Sequence, residues 1–241
     1  MKLITSIASI FAGLVLAVTP VQADTYTDPA GDGALVGVGG GILDILSVEV
    51  THNATDLMFK INLAGNPVAT DWGKYMIGID SVPGGDPAGN GWARPIGMSS
   101  GMDFWAGSWV DSGNGAELYQ YTGSWPFPPQ NATWSANPAN VGVSKDASSV
   151  TIKFNYAWLG LGPGSTFLFD VYTSGGGGSD GAIDALGIPS QTTPGQSVGD
   201  WSGYYNSDGN VDSYTIPEPA ACILLGLGGL VLVGRVLRRA F

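Results

Sequence analysis

Three aspartates near the amino end have the side-chain chemistry of a hard-cation site. Asp28 and Asp32 lie in a glycine-rich stretch, and Asp44 stands at the start of an alternating apolar run. Asp44 shares its parity with Leu46 and Val48, which directs its carboxylate toward the core side of a strand. A buried carboxylate needs a cation or several donors, and oxygen ligands in flexible loops suit Ca²⁺. The pattern predicts a structural Ca²⁺ at Asp28, Asp32 and Asp44, and the alternative is an aspartate bonded to loop amides.

A second group of residues has the chemistry of sugar binding. Between positions 91 and 134, aromatic residues alternate with Gly, Asn, Ser and Pro, so indole faces can stack on sugar rings beside polar side chains that bond hydroxyls. Trp105 and Trp109 have the same strand parity and are expected on one face. The candidate carbohydrate-binding residues are Trp92, Arg94, Asp103, Trp105, Trp109, Asp111, Trp125 and Trp134. The alternative is core packing, which the sequence predicts for Trp72 and Trp158.

The inventory of reactive side chains argues against catalysis. His52, the single histidine, lies in a predicted turn, and Cys222, the single cysteine, lies in the C-terminal tail, which argues against a Ser/His/Asp or Cys/His set. One histidine and one cysteine are too few for a His/Cys zinc site. Glycoside hydrolysis needs only two carboxylates, but Glu49 and Glu117 are the glutamates before the C-terminal tail, and no spacing marks a catalytic pair. The sequence predicts a non-enzymatic protein, with a glycoside hydrolase as the third hypothesis.

The C-terminal tail, residues 217–241, combines three features in a fixed order. An apolar run at 220–234 is preceded by Pro217, Glu218 and Pro219 and followed by Arg235, Arg238 and Arg239. Extended to position 237, with the first arginine reaching the interface, the run spans roughly 27 Å, close to a hydrocarbon core of about 30 Å. The arginines favour the cytoplasmic side, which leaves the preceding chain outside. The prolines disfavour helix and predict an extended, accessible segment before the membrane.

This order of features resembles the PEP-CTERM sorting signal of bacterial exosortase substrates. The resemblance implies recognition and processing at Pro217, Glu218 and Pro219 by an exosortase-type membrane protease, after a transient stay in the inner membrane. The alternative is an ordinary C-terminal anchor, which gives the Pro-Glu-Pro no role. At the amino end, Lys2, an apolar run at 7–18 and a Val-Gln-Ala ending predict a signal peptide at 1–23, which signal peptidase removes. The expected destination is the cell-envelope surface or the extracellular matrix of a biofilm.

The segment between these ends, 24–216, is long enough for one domain with a sizeable core. It contains 19 acidic and five basic residues and no cysteine, so nucleic acid and anionic lipid are poor partners and no disulfide supports the fold. Period-2 runs at 42–50 and 57–63, joined by a short polar turn, predict a β-hairpin. Further strands are predicted at 75–80, 102–110, 116–122, 141–144, 149–156, 165–172 and 214–216. A short helix is predicted around 182–186.

Many short strands without βα alternation predict an all-β antiparallel sandwich, flanked by the signal peptide and the C-terminal transmembrane sorting helix. The strand patterns at 44–50, 57–59, 77–80 and 167–170 resemble DOMON-like and family 9 carbohydrate-binding-module sandwiches. That resemblance implies a jelly-roll-like fold and sugar or other ligand binding. The sequence therefore predicts a surface or matrix protein associated with extracellular polysaccharide, and the alternative is a dedicated carbohydrate-binding adhesion module.

Overall fold

The computed structural model describes residues 23–126, 131–132, 141–187 and 192–218. The strands are β1 Asp24–Thr27, β2 Ile45–His52, β3 Asp56–Leu63, β4 Lys74–Asp80, β5 Ile96–Gly97, β6 Phe104–Trp109, β7 Gly115–Gln120, β8 Asn131–Ala132, β9 Val141–Lys145, β10 Ser149–Asn155, β11 Thr166–Ser174, β12 Asp184–Ala185, β13 Tyr205–Asn206 and β14 Asp212–Thr215. A 3₁₀ helix spans Tyr156–Leu159, and the helix α1 spans Pro194–Val198. The predicted signal peptide and apolar tail run lie outside the described residues.

The strands form two antiparallel sheets that pack face to face. The first sheet has the order β1-β2-β3-β10-β9, and the second has the order β12-β11-β4-β6-β7-β8 with β14 also paired to β11. Within the described ranges, the one parallel pair is the short ladder of β5 with β13, outside both sheets. The all-β antiparallel sandwich predicted from the strand pattern is therefore confirmed.

Aromatic residues join the two sheets in the core. Phe59 on β3 packs against Phe154 on the neighbouring β10, with ring centroids 5.6 Å apart. Its ring also meets Phe169 on β11 of the opposite sheet edge-on at 5.2 Å. All three side chains are fully buried. Truncation of a buried phenylalanine to alanine costs about 3–5 kcal/mol, so contacts of this kind hold the disulfide-free domain together.

The predicted hairpin of β2 and β3 is confirmed, with one irregularity at its start. The strands pair antiparallel with Val50 opposite Phe59, but the register shifts between Ile45 and Ser47 at a β-bulge. The extra residue turns Ile45 into the core and leaves Leu46 half-buried, which reverses the predicted parity at this point. The predicted alternation resumes after the bulge.

The helix predicted around 182–186 is wrong, because those residues contribute a strand. β12 pairs with β11 so that Ala185 lies opposite Tyr172. The short helix lies later, at α1, where the Thr193 hydroxyl accepts from the Gln196 N–H and the Gln196 side chain accepts from the Thr193 N–H. This capping box satisfies two N-terminal donors. No helix in the described part of the chain is long and apolar enough to cross a membrane.

The sandwich extends to Ile216, which is fully buried. Its N–H donates to the carbonyl of Ser165, and its own carbonyl accepts from the N–H of Gly164. Pro217 and Glu218 follow directly and are exposed. On the preceding strand, the carbonyl of Ser213 accepts a hydrogen bond from the Tyr26 hydroxyl on β1. The first and last strands of the domain are thus tied to each other.

Candidate functional site

A cleft lies on the outer face of the second sheet. The antiparallel register of β4, β6 and β7 places Lys74 opposite Trp109 and Trp109 opposite Gly115, and it places Gly107 opposite Glu117 in the next row. The cleft has a volume of about 240 Å³ and is lined by Lys74, Trp92, Arg94, Trp109, Glu117 and Gly178. Three of the residues predicted for sugar binding, Trp92, Arg94 and Trp109, therefore come together here.

Both tryptophans of the cleft lie on glycines of the sheet. A Cβ at Gly107 would stand only 2.4 Å from a ring carbon of Trp92, and a Cβ at Gly115 only 2.0 Å from one of Trp109. Each indole therefore lies directly against the backbone, and each keeps part of its surface exposed. A ring held in this way is already oriented for a ligand, which lowers the entropy lost when the ligand stacks on it.

Polar contacts fix Trp92 from two sides. Its indole Nε1 donates to Oε2 of Glu117 at 2.6 Å. The guanidinium of Arg94 lies 5.4 Å from the Trp92 ring centroid, within range of a cation–π interaction. Arg94 is itself buried and donates through Nη1 to the Ser174 hydroxyl at 2.7 Å and to the Asp180 carbonyl at 2.8 Å. Arg94 is thus a support for Trp92, fixed by the loop after β11.

Lys74 and Asp111 neutralise each other at the rim of the cleft. The ammonium Nζ of Lys74 lies 3.2 Å from Oδ2 of Asp111 and donates to the carbonyl of Trp72 at 2.9 Å. Asp111 was predicted as a sugar ligand, and the structure places it beside the cleft as the partner of Lys74. Each charged side chain of the cleft therefore has a polar or oppositely charged partner, so the cleft suits a neutral, hydroxyl-rich ligand better than an ion.

Two other predicted sugar ligands are inside the fold. Trp105 projects from the same sheet face as Trp109, as its parity predicts, but it has no exposed surface because loops cover it. Its ring stacks on Tyr172 at 5.9 Å and supports Trp92 from below at 6.3 Å. Asp103 is also buried, and its Oδ2 accepts from the N–H groups of the turn after β4. Neither residue presents its side chain to a ligand.

Trp125, another aromatic candidate, is not among the residues that line the cleft. Trp125 packs against Tyr121 with centroids 5.4 Å apart and donates through Nε1 to Asp86 Oδ2 at 2.9 Å, which fixes a neighbouring loop. Trp134 lies outside the described residues, as do Pro219, Arg235, Arg238 and Arg239. The sequence reasoning missed Lys74 and Glu117. Cross-strand register places Lys74 opposite Trp109 and Glu117 opposite Gly107, and the loop residue Trp92 then contacts Glu117.

A cluster of carboxylates lies where the glycine-rich N-terminal loop meets β12 and α1. One oxygen from each of Asp28, Asp32 and Asp184 lies within 4.8 Å of the other two. Asp184 is fully buried, and its Oδ2 accepts from the N–H of Ile45 at 2.7 Å. The Gln196 amide Nε2 bridges two members, donating to Asp32 at 2.9 Å and to Asp184 at 2.5 Å. Asp184 was not predicted as a ligand.

The hydrogen-bond donors around this cluster do not satisfy all of its carboxylate oxygens. Oδ2 of Asp28 is buried without a hydrogen-bond partner. Burial, reinforced by the charges of Asp32 and Asp44, raises the pKa of Asp28 to about 8. Burial and the charge of Asp28 raise the pKa of Asp184 well above its ordinary value. Three oxygen donors with an unsatisfied buried oxygen fit a hard cation such as Ca²⁺.

Asp44 takes the structural role that was the alternative prediction. Both of its carboxylate oxygens accept from the N–H of Gly31, at 3.1 and 3.0 Å. Burial raises its pKa, and this hydrogen bond opposes the rise. Asp44 therefore holds the glycine-rich loop through a hydrogen bond to its backbone. The third member of the carboxylate cluster is Asp184 instead of Asp44.

A further carboxylate, Asp170 on β11, is completely buried under the loops of the second sheet. Its Oδ2 accepts from the Ser207 hydroxyl at 2.5 Å, and its Oδ1 accepts from the Gly187 N–H at 2.9 Å. The Ser207 oxygen is in turn hydrogen-bonded to the Tyr172 hydroxyl at 2.8 Å. Burial raises the pKa of Asp170 to about 7, which these hydrogen bonds partly offset.

The residues considered for catalysis are separated in the fold. Glu49, on β2 of the first sheet, accepts from Asn62 at 3.0 Å and lies 3.6 Å from Lys60. Glu117 belongs to the second sheet, so the two glutamates do not face each other across one cleft. Nδ1 of His52 is hydrogen-bonded to the Tyr214 hydroxyl at 2.8 Å.

No protein-family model matches this chain, and no curated protein sequence matches it. The geometry of the cleft and of the carboxylate cluster therefore carries the functional argument.

Proposed function

We propose that this protein is an exported, non-enzymatic component of the cell surface or extracellular matrix that binds extracellular polysaccharide. The supporting observation is the pair of partly exposed indoles, Trp92 and Trp109, that lie directly against glycines of the sheet and line the cleft together with Glu117. The sandwich would then be of the jelly-roll-like, DOMON-like or family 9 class.

In this proposal the indole faces stack on the apolar faces of sugar rings, and the carboxylate of Glu117 and the ammonium of Lys74 bond hydroxyls. The cleft is shallow and small, so a single site binds weakly. Many copies on one surface would hold the polymer through avidity, because each further contact is made at high effective concentration.

Export and sorting belong to the same proposal. A signal peptide removed after Ala23 and an exosortase-type protease acting at Pro217, Glu218 and Pro219 would move the domain through a transient inner-membrane stage to the envelope or matrix. The exposure of Pro217 and Glu218 directly after the buried Ile216 supports an accessible processing site.

We also propose a structural Ca²⁺ in the carboxylate cluster, with Asp28, Asp32 and Asp184 as its protein ligands. The buried, unpartnered oxygen of Asp28 supports this assignment. The bound cation would compensate the carboxylates and link the N-terminal loop to β12, at the position where Gln196 of α1 already bridges two of them.

Substitution of the two cleft tryptophans tests the main proposal. Trp92→Ala combined with Trp109→Ala should reduce retention on matrix polysaccharide by about tenfold, because two aromatic stacks worth about 0.5–1.5 kcal/mol each are removed. The matched control is Trp158→Ala, which removes an exposed tryptophan from the 3₁₀ helix that follows β10. Thermal melting of the same proteins separates lost binding from lost folding. Undiminished retention by a folded double variant would refute the proposal.

A dedicated carbohydrate-binding adhesion module would use the same cleft. It would differ from a general matrix component by binding one particular glycan strongly. A glycan array on the purified protein distinguishes it from a general matrix component. A glycoside hydrolase would release reducing sugar, and an assay for that product tests the third hypothesis.

A further inference from the structure

We propose that the cleft is one end of a longer binding strip, with a second subsite at Trp72 and Trp201, and that its ligand is a neutral linear polysaccharide. This inference rests on the proposed function and adds the extent of the site and the class of polymer. Trp72 and Trp201 are both half-buried, and their ring centroids lie 6.2 Å apart.

A short chain of contacts connects the two aromatic pairs. The ring of Trp201 packs against Gly175 so closely that a Cβ there would lie 2.8 Å from it. The carbonyl of the same glycine accepts from Nη2 of Arg94 at 3.3 Å, and Arg94 lies against Trp92. One glycine and one arginine therefore separate Trp201 from the Trp92 side of the cleft.

A second connection runs through Lys74. Its ammonium lines the cleft and donates to the carbonyl of Trp72 at 2.9 Å. The segment between the two aromatic pairs, 175–178, consists of four consecutive glycines, and Gly176 and Gly178 are exposed. Because no side chain rises from this segment, a ligand chain can pass over it from one pair of tryptophans to the other.

The charges along the strip fit a neutral polymer. Lys74 is paired with Asp111, and Glu117 accepts from Trp92. The whole chain carries a formal net charge of −11, which repels a polyanion as it approaches. Aromatic faces beside paired charges offer stacking and hydroxyl contacts, which a neutral sugar chain uses fully and an acidic one does not.

The test uses the neutral fraction of polysaccharide extracted from the producing organism's own matrix, shortened by mild hydrolysis and separated by chain length. Affinity of the full-length protein should rise with chain length, on the order of tenfold between fragments that fill one subsite and those that fill both. Gly176→Gln should remove this rise while leaving the affinity for short fragments unchanged, because its Cβ would make only an ordinary contact, 3.7 Å from the carbonyl oxygen of Trp72, and its side chain obstructs only the crossing. Trp201→Ala should have the same effect.

The controls separate this inference from the proposed function. Trp92→Ala should weaken binding of short and long fragments alike, and Trp158→Ala should change neither. If Gly176→Gln and Trp201→Ala both keep the wild-type dependence on length, the second subsite is refuted and the cleft stands alone. Stronger binding of the acidic fraction, or of a proline-rich peptide, refutes the neutral polymer. If the wild type binds no fraction, the proposed function itself fails.

Discussion

The indole N–H of Trp92 donates to the carboxylate of Glu117 across 2.6 Å, so a residue of β7 orients a ring that belongs to a loop. The same ring also packs on Gly107, meets Trp105 edge-on at 6.3 Å and lies beside the guanidinium of Arg94. The orientation of the proposed binding face therefore depends in part on a charge-assisted hydrogen bond between β7 and a loop that lies 25 residues earlier in the sequence.

Glu117→Ala should weaken polysaccharide binding about tenfold, because a hydrogen bond to a charged group contributes about 1.5–3 kcal/mol. Glu117→Gln is the matched control, since its amide oxygen can still accept from Trp92 and should keep most of the affinity. Titration calorimetry measures the binding, and tryptophan fluorescence reports the freedom of the ring. Wild-type affinity in the alanine variant would show that Trp92 is positioned without this bond.

Calcium should raise the melting temperature of the protein, and EDTA should lower it. A ligand that binds only the folded state stabilises it by about 2.7 kcal/mol when present at a hundredfold excess over its dissociation constant. Asp184→Asn should abolish the response, because it removes a charged ligand from the cluster. Asp208→Asn, which changes an exposed aspartate in a turn, is the control and should respond like the wild type. Equal melting temperatures with calcium and EDTA would eliminate the metal.

The stability of the domain should fall as the pH rises from about 4 to about 7. The pKa of Asp170 is about 7 in the fold against an ordinary value of 3.8, so within this window the native state binds more protons than the unfolded chain. The stabilisation is fully present below the lower value and is lost as the pH passes the higher one. One such group changes the free energy of unfolding by up to about 1.4 kcal/mol per pH unit.

Asp170→Asn should make this pH profile less steep, because the amide does not titrate. The profile should not become flat, since burial also raises the pKa values of Asp28 and Asp184. Urea unfolding at half-unit pH intervals measures the slope for both proteins. Superimposable profiles would show that Asp170 does not titrate in this range.

Replacement of Pro217, Glu218 and Pro219 by alanine should leave the protein in the inner membrane with its tail attached. The reason is that the Pro-Glu-Pro sequence that the protease is proposed to recognise would be lost. Intact mass of the protein from envelope and matrix fractions is the measurement. Arrival of the triple variant at the surface with the wild-type mature mass would exclude the sorting proposal.

The sequence predicts features that depend on neighbouring residues, such as a hairpin. It does not predict sites that form where segments distant in sequence meet. The hairpin of β2 and β3 follows from local alternation, although the bulge at Ile45 shifts the parity of one residue, because an inserted residue leaves no compositional signal. Asp184 is more than a hundred residues from Asp28 and joins it only because β12 pairs with β11. The residues around Asp28 and Asp184 give no local sign that β12 pairs with β11.

The tryptophans show the same division. Parity places Trp105 and Trp109 correctly on one sheet face, but it says nothing about the loops that bury the first and leave the second partly exposed. Likewise, Gly107 and Gly115 belong to the candidate site because they lack side chains. Their role can be recognised only once it is known which indole packs on each of them.

The anchoring of Ile216 has a mechanical consequence. Tension on the chain beyond this residue first reaches the hydrogen bonds of Ile216 with Gly164 and Ser165, and then the first pair of β14, Thr215 with Thr166. Strand pairs pulled from one end break one after another, so this arrangement resists less force than one in which all the hydrogen bonds of a strand bear the force at the same time. The Tyr26 hydroxyl, bonded to Ser213, is the cross-link that such peeling must break before the pull reaches β1. A molecule pulled by this end would therefore lose the pairing of β14 before that of β1.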